Sequence, residues 1–160
     1  MKHIKGDLLD VEGGWDCAIH VANSYKTFGS GIAYYIKNKF PQVYQADLDH
    51  KFNESNILGR FTKAEITNNR TIYNLYAMVG LGNNGSPSDR NLSYDAFYDG
   101  IINIVEDALE NTHLKPVVIG VPYRIGCDRA GGDFKVVESM LESIEELYPD
   151  ISFQCYHLEL

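Results

Sequence analysis

The chain lacks any long hydrophobic run. Nowhere in its 160 residues do eighteen apolar residues follow one another, so the sequence predicts no transmembrane helix. The first residues also lack the apolar segment that a secretory signal needs. We therefore expect a cytoplasmic protein that does not associate with membranes.

Positive charge is also scarce. Lys and Arg number 14 against 22 Asp and Glu, which gives a formal net charge of -8. Broad binding to the phosphate backbone of nucleic acids depends on clustered Lys and Arg, so this composition argues against it. A single phosphorylated metabolite remains compatible, because a local nest of backbone N–H groups binds an anion whatever the net charge.

Cysteines are few and metal-ligand spacings are missing. Cys17, Cys127 and Cys155 are an odd number and predict no disulfide framework. Two of them lie in apolar, strand-like runs, where a cysteine usually behaves as a small buried hydrophobic side chain. The histidines are scattered, without His-x-x-x-His or paired-carboxylate spacing, so the sequence predicts neither a metal nor a cofactor.

The length predicts one domain over residues 1–160, large enough to bury its own core, and we expect a monomer. No repeat or low-complexity segment is visible. Apolar periodicity predicts the order β, β, α, α, β, β, α, β, α, β. Asn68 and Asn69 predict a turn between two antiparallel strands, Ser93 predicts a helix cap, and residues 77–91 predict a loop without regular structure.

A glycine-rich turn follows the second predicted strand. Residues 17–22 are apolar and have the length of a buried strand, whereas helical spacing begins at Ile32. Between them lies Gly29-Ser30-Gly31. Small residues at such a turn let backbone N–H groups approach an anion at a helix N-terminus, but the same residues can also make a simple tight connection.

A second unit of this kind occurs far down the chain. Residues 117–122 are β-branched and apolar and predict a strand. A turn-rich segment with glycines at 126, 131 and 132 follows, and a helical pattern begins near Phe134. Two strand–glycine loop–helix units predict a cleft for a phosphorylated ligand at the carboxyl ends of the strands.

As a set, the motifs resemble those of the macrodomain family of ADP-ribose-binding modules, nearly from end to end. They are Lys5-Gly6-Asp7-Leu8-Leu9, Ala18-Ile19-His20-Val21-Ala22-Asn23, Gly29-Ser30-Gly31-Ile32-Ala33, Lys39-Phe40-Pro41, Leu58-Gly59, Ile125-Gly126-Cys127, Gly131-Gly132-Asp133-Phe134 and Tyr156. The resemblance is closest to the branch that includes ADP-ribose-1''-phosphate phosphatases and deacylating or DNA-deADP-ribosylating macrodomains. It implies an α/β fold, a three-layer α/β/α sandwich with a mixed central sheet.

The resemblance also implies a set of ligand-binding residues. Asp7 and the backbone N–H of Leu8 would meet adenine, Tyr156 would stack on it, and Asn23 would bond the distal ribose. Without the resemblance, Asp7 is better explained as a turn residue or cap, and Tyr156 is equally explained as a surface tyrosine at a strand end. The pyrophosphate would rest on the two loops, at Gly29, Ser30, Gly31, Ile32, Ile125, Gly126, Cys127, Ala130, Gly131 and Gly132.

Two side chains are the predicted catalytic residues. His20 stands where the phosphatase branch has histidine, and an imidazole of near-neutral pKa can transfer a proton to the leaving group. The alternative for His20 is a core histidine with satisfied hydrogen bonds. Asp128 would orient the attacking water, with Asp133 in reserve although it fits a helix cap better. Arg129 would clamp the terminal phosphate.

The resemblance therefore implies a metal-independent phosphatase that converts ADP-ribose-1''-phosphate to ADP-ribose, with these two molecules as its ligands. One alternative is a hydrolase of ADP-ribosylated protein or nucleic acid, or of O-acetyl-ADP-ribose. The catalytic lysine of such relatives is missing from Tyr76-Ala77-Met78-Val79, which weighs against it. The other alternative is a non-catalytic reader of ADP-ribose.

Overall fold

The computed structural model of the chain describes residues 1–10, 12–78, 90–112 and 116–159. Its elements follow the predicted order. The strands are β1 (Lys2–Lys5), β2 (Cys17–Ala22), β3 (Phe61–Glu65), β4 (Thr71–Tyr76), β5 (Val117–Pro122) and β6 (Ile151–His157), and the helices are α1 (Gly31–Lys39), α2 (Pro41–Asp49), α3 (Tyr94–Asn111) and α4 (Phe134–Leu147).

Within the described ranges, the strands form one mixed sheet in the order β1-β6-β5-β2-β4-β3. Every neighbouring pair is parallel except β3 and β4, which form the predicted antiparallel pair. Asn68 and Asn69 turn the chain between these two strands with φ of +60° and +61°, a backbone region that asparagine tolerates better than most residues. The five parallel strands therefore end at one common edge of the sheet.

Two hydrophobic clusters cover the two faces of the sheet. Alternation along β2 shows the division, because Cys17 and Ile19 belong to the cluster under α3 and α4, whereas Ala18 and Ala22 belong to the cluster under α1 and α2. This arrangement is the predicted three-layer α/β/α sandwich. None of the helices in the described part of the chain is long and apolar enough to cross a membrane.

Side-chain caps mark the starts of α3 and α4, as the sequence predicts. Ser93 accepts a hydrogen bond from the Ala96 N–H, and Asp133 accepts one from the Lys135 N–H. Each cap satisfies a donor that the first helical turn leaves without a partner. In the predicted loop 77–91, Met78 forms an isolated antiparallel bridge with Leu92, and residues 79–89 lie outside the described residues.

Candidate functional site

A cavity of about 1350 Å³ lies at the sheet edge where the parallel strands end. The chain segment after β1, the glycine loop after β2, the loop after β5 and the end of β6 form its walls. Open α/β sheets usually bind ligands at this edge. The predicted site residues that line the cavity are Asp7, Leu8, Asn23, Gly29, Ser30, Gly31, Ile32, Ile125, Gly126, Asp128, Arg129, Ala130 and Tyr156.

Asp7 and Tyr156 occupy one end of the cavity. Oδ1 of Asp7 accepts the Leu9 N–H at 2.9 Å, which holds the carboxylate against the turn after β1 while the residue stays exposed. The buried Trp15 indole N–H donates to the Leu8 carbonyl at 2.9 Å and holds the same segment in place. Tyr156 is buried, and desolvation raises the pKa of its hydroxyl, which bonds Gln154 at 2.9 Å.

The first glycine loop leads into α1 without a side-chain cap. Oγ of Ser30, the N-cap residue, accepts instead from Nη1 of Arg129 at 3.1 Å, and the first turn carries no acidic residue. Because Gly31 and Ile32 line the cavity, the positive end of the helix dipole faces it. The Ser30–Arg129 bond also joins the two glycine loops across the cavity.

Asn23 lines the cavity but uses its amide within the loop. Its Nδ2 donates to the carbonyl and the hydroxyl of Thr27, both at 3.0 Å, and its Oδ1 accepts the Tyr25 N–H at 2.8 Å. In this conformation Asn23 shapes residues 23–27. Contact with a ribose would replace at least one of these bonds.

The second loop is held by Arg124, which the sequence analysis overlooked. This residue has a φ of +62°, and its Nε donates to Oδ1 of Asp128 at 2.9 Å while its Nη2 donates to the Cys127 carbonyl at 3.1 Å. The hydrogen bond to Asp128 raises the pKa of the Arg124 guanidinium. Both charged groups stand at the rim of the cavity.

The structure gives no support to three predicted ligand contacts in this loop. The N–H groups of Cys127, Gly131 and Gly132 already donate to the carbonyls of Arg124, Asp128 and Gly126, and these three residues do not line the cavity. The Cys127 thiol is buried against the Ile125 carbonyl at 3.3 Å, and desolvation raises its pKa to about 12. The loop needs these groups to hold its own shape.

Gly132 is expected to be the least replaceable glycine of this loop. A Cβ there would lie 2.6 Å from Leu92 Cδ2 and 2.7 Å from the Gly126 carbonyl oxygen, and the second contact is with backbone. We expect Gly132→Ala to lower the free energy of unfolding by about 1–3 kcal/mol, the range for overpacking. Urea unfolding would measure it.

Gly29→Ala is the matched control, because nothing lies within 4 Å of a Cβ at Gly29. Its free energy of unfolding should stay within about 0.5 kcal/mol of the wild type. Equal effects of the two substitutions would contradict the packing described for the second loop.

His20 does not line the cavity, so the structure gives no support to its predicted catalytic role. Its side chain is 1% exposed, Nε2 donates to Oδ1 of Asn74 at 2.6 Å, and Phe28 packs edge-on against the ring at 5.2 Å. Burial lowers the pKa of His20 to about 4. A neutral imidazole enclosed in this way is poorly placed to deliver a proton to a cavity ligand. Its burial matches the core-histidine alternative, but only Nε2 is hydrogen-bonded, because Nδ1 has no partner within the described part of the chain.

One face of α1 adds lining residues that the sequence analysis missed. Tyr35, Asn38 and Lys39 follow Gly31 and Ile32 at helical spacing, so they extend along the same side of the helix. Lys39 Nζ donates to the Leu9 carbonyl at 2.7 Å and thereby ties α1 to the segment that carries Asp7. Their helical spacing from the glycine turn could have identified these lining residues in the sequence.

The chain was compared with known proteins. No family model matches it. It is 27% identical over 147 residues to an uncharacterized 17.5 kDa protein of phage T4 from the tk-vs intergenic region, with 89% of this chain and 88% of that protein covered. The macrodomain of Mycobacterium tuberculosis DarG superimposes with a TM-score of 0.74 at 19% identity, covering 97% of this chain and 95% of that one.

Thermosipho africanus DarTG, solved in complex with ADP-ribose, superimposes with a TM-score of 0.69 at 16% identity. The superposition covers 97% of this chain but only 41% of that longer one. At sequence identities this low, the superpositions establish a shared fold and nothing more. The chain therefore has the macrodomain fold.

Proposed function

We propose that the cavity binds ADP-ribose and that the chain removes the terminal phosphate of ADP-ribose-1''-phosphate. The observation that carries this proposal is the Ser30–Arg129 bond of 3.1 Å, which joins both glycine loops over the same cavity that Asp7 and Tyr156 border. The ADP-ribose complex of the Thermosipho protein, which shares the fold, supports the choice of ligand.

Each part of the ligand has a matching part of the cavity. The amino group of adenine would donate a hydrogen bond to the exposed Asp7 carboxylate, and the base would lie near Tyr156. The pyrophosphate would bind at the N-terminus of α1. Backbone N–H groups, the helix dipole and the lack of a side-chain cap favour an anion there. The distal ribose would lie toward Asn23 and the loop after β5.

The chemistry is proposed without His20. Asp128 would orient a water molecule for in-line attack on phosphorus and accept its proton as the new P–O bond forms. The bond from phosphorus to the ribose 1''-oxygen breaks, and that oxygen takes its proton from solvent. Arg129 would neutralise charge on the transferred group. Phosphoryl transfer needs mainly positioning and charge stabilisation, so such a sparse site is sufficient.

Asp7→Ala tests the binding mode. We expect ADP-ribose to bind about 5–150-fold more weakly, equivalent to about 1–3 kcal/mol for a lost hydrogen bond to a carboxylate. Isothermal titration calorimetry measures this change. Asp10→Ala is the matched control, since Asp10 lies in the same turn, its carboxylate accepts the local Glu12 N–H and it does not line the cavity. Unchanged affinity in Asp7→Ala would place adenine elsewhere.

Phosphate release tests the reaction. Purified protein is incubated with ADP-ribose-1''-phosphate in EDTA, and free phosphate is followed over time. Catalytic release of phosphate would support the phosphatase assignment. Binding of ADP-ribose without release of phosphate would indicate a non-catalytic reader of ADP-ribose. If the protein neither bound ADP-ribose nor released phosphate, the proposed function would be wrong.

A further inference from the structure

Three metal-ligating side chains meet on the sheet face that α4 covers. His3 lies in β1, whereas Cys155 and His157 lie two residues apart in β6 and so point to the same side. The parallel register places His3 directly beside Cys155. One ligand atom from each residue lies within 4.8 Å of the others. No local pattern of the sequence indicates this cluster, because 154 positions separate the two histidines.

The orientation of His3 is set by a carboxylate. Nε2 of His3 donates to Oε2 of Glu138 on α4 at 2.7 Å, which leaves Nδ1 unprotonated in the neutral ring. That Nδ1 faces Nε2 of His157 at 2.7 Å. A histidine that donates its outer nitrogen to a carboxylate and presents a lone pair inward has the arrangement typical of zinc-ligating histidines.

We propose that His3 Nδ1, His157 Nε2 and Cys155 Sγ bind one Zn²⁺ ion, with Glu138 as a positioning residue. This site is independent of the function proposed for the cavity. Zinc bonds to nitrogen at about 2.0–2.1 Å and to sulfur at about 2.3 Å, so tetrahedral ligand atoms lie about 3.3–3.6 Å apart. The histidine nitrogens, now 2.7 Å apart, need to separate by about 0.6 Å, and the sulfur to approach by no more than about 1.5 Å.

The surroundings supply access and support. His3 is 34% exposed at its side chain and gives an ion an entry path, whereas Cys155 is fully buried. The Tyr123 ring stacks on His157 with centroids 4.1 Å apart and restricts the imidazole. Because β1 has only four residues and pairs only with β6, a bound ion would fasten this edge strand to the rest of the sheet.

The test uses the full chain without a tag, freed of metal by a chelator that is then removed. Zn²⁺ titration by calorimetry should give one site per chain. Addition of Co²⁺ should produce the near-ultraviolet thiolate-to-cobalt absorption band, which reports the cysteine ligand directly. Glu138→Gln should weaken zinc binding about 10–100-fold, the usual cost of losing such a carboxylate partner. His3→Gln should weaken it at least as much.

Glu142→Gln is the matched control, because Glu142 lies one helical turn further along α4 and is exposed. Its zinc affinity should equal that of the wild type. Circular dichroism of His3→Gln verifies that the variant is folded before its affinity is compared. Absence of stoichiometric zinc binding, a cobalt complex without the thiolate band, or binding undiminished in His3→Gln would overturn the proposal.

Discussion

Replacing Asp128 with asparagine should lower the rate of phosphate release from ADP-ribose-1''-phosphate about 100-fold or more, the scale of lost general-base assistance. The affinity for ADP-ribose should change little, because the product lacks the phosphate that the attacking water approaches. We therefore expect the loss in kcat, with KM and the ADP-ribose Kd within a factor of about three.

Asparagine isolates the chemical contribution of the carboxylate. Its side-chain oxygen can still accept from Arg124 Nε, so the hydrogen bond of 2.9 Å that holds the loop can persist. The lost ion pair is exposed, with side chains 46% and 74% accessible, and such pairs contribute at most about 1 kcal/mol to stability. A large change in kcat would thus come from the missing base.

Asp133→Asn is the control for this experiment and decides between the two aspartates. Asp133 caps α4 through the Lys135 N–H at 2.9 Å and does not line the cavity. Asparagine caps helices about as well as aspartate, so fold and rate should both be kept. A loss of rate in Asp133→Asn with none in Asp128→Asn would reverse the assignment. Equal losses of rate and ADP-ribose binding in Asp128→Asn would make Asp128 a structural residue.

Local signals in the sequence predicted the order of the strands and helices, whereas the three-layer sandwich was implied by the family resemblance. Apolar period, the cap at Ser93 and the turn at Asn68 and Asn69 each depend on residues within one or two turns of the chain. These signals were enough to order the strands and helices and to place both glycine loops at one sheet edge. The last helix, α4, begins at Phe134, where the helical pattern of the sequence begins.

The details of the second loop were not predictable in this way. A glycine such as Gly131 or Gly132 suggests an N–H group available to an anion, but its partner depends on how the loop closes. Here the N–H of Gly132 donates to Gly126 at 3.0 Å, six residues away. The same glycine is needed for close packing on Leu92. The glycines therefore predicted the position of the loop correctly. At Gly131 and Gly132, however, the N–H groups bond within the loop instead of facing the cavity.

Contacts between strands that are distant in the sequence were even less predictable. His20 lies opposite Asn74 in the parallel register of β2 and β4, and only that pairing reveals its buried hydrogen bond. His3 and His157 meet through the pairing of β1 with β6. No local pattern encodes either register, because parallel strands are joined through long connections.

The buried His20 should make the protein less stable in acid. Its pKa is lowered from 6.5 to about 4 by desolvation, against the opposing effect of its hydrogen bond to Asn74. Between these pH values the unfolded chain binds a proton that the folded chain does not, so the free energy of unfolding falls as pH falls. The contribution is complete above about pH 6.5 and is lost as pH approaches about 4. Near pH 4.5 the expected loss is about 2–3 kcal/mol.

Urea unfolding of the wild type and of His20→Gln at several pH values measures this contribution. Glutamine can donate to Asn74 but does not titrate, so the other groups, including His50 and His157 whose pKa values burial also lowers, act equally in both proteins. The wild type should lose about 2–3 kcal/mol more than His20→Gln between about pH 7.5 and 4.5. Identical pH dependence would mean that His20 is protonated in the folded chain, which requires it to reach solvent, and its assignment as a core residue would then fail.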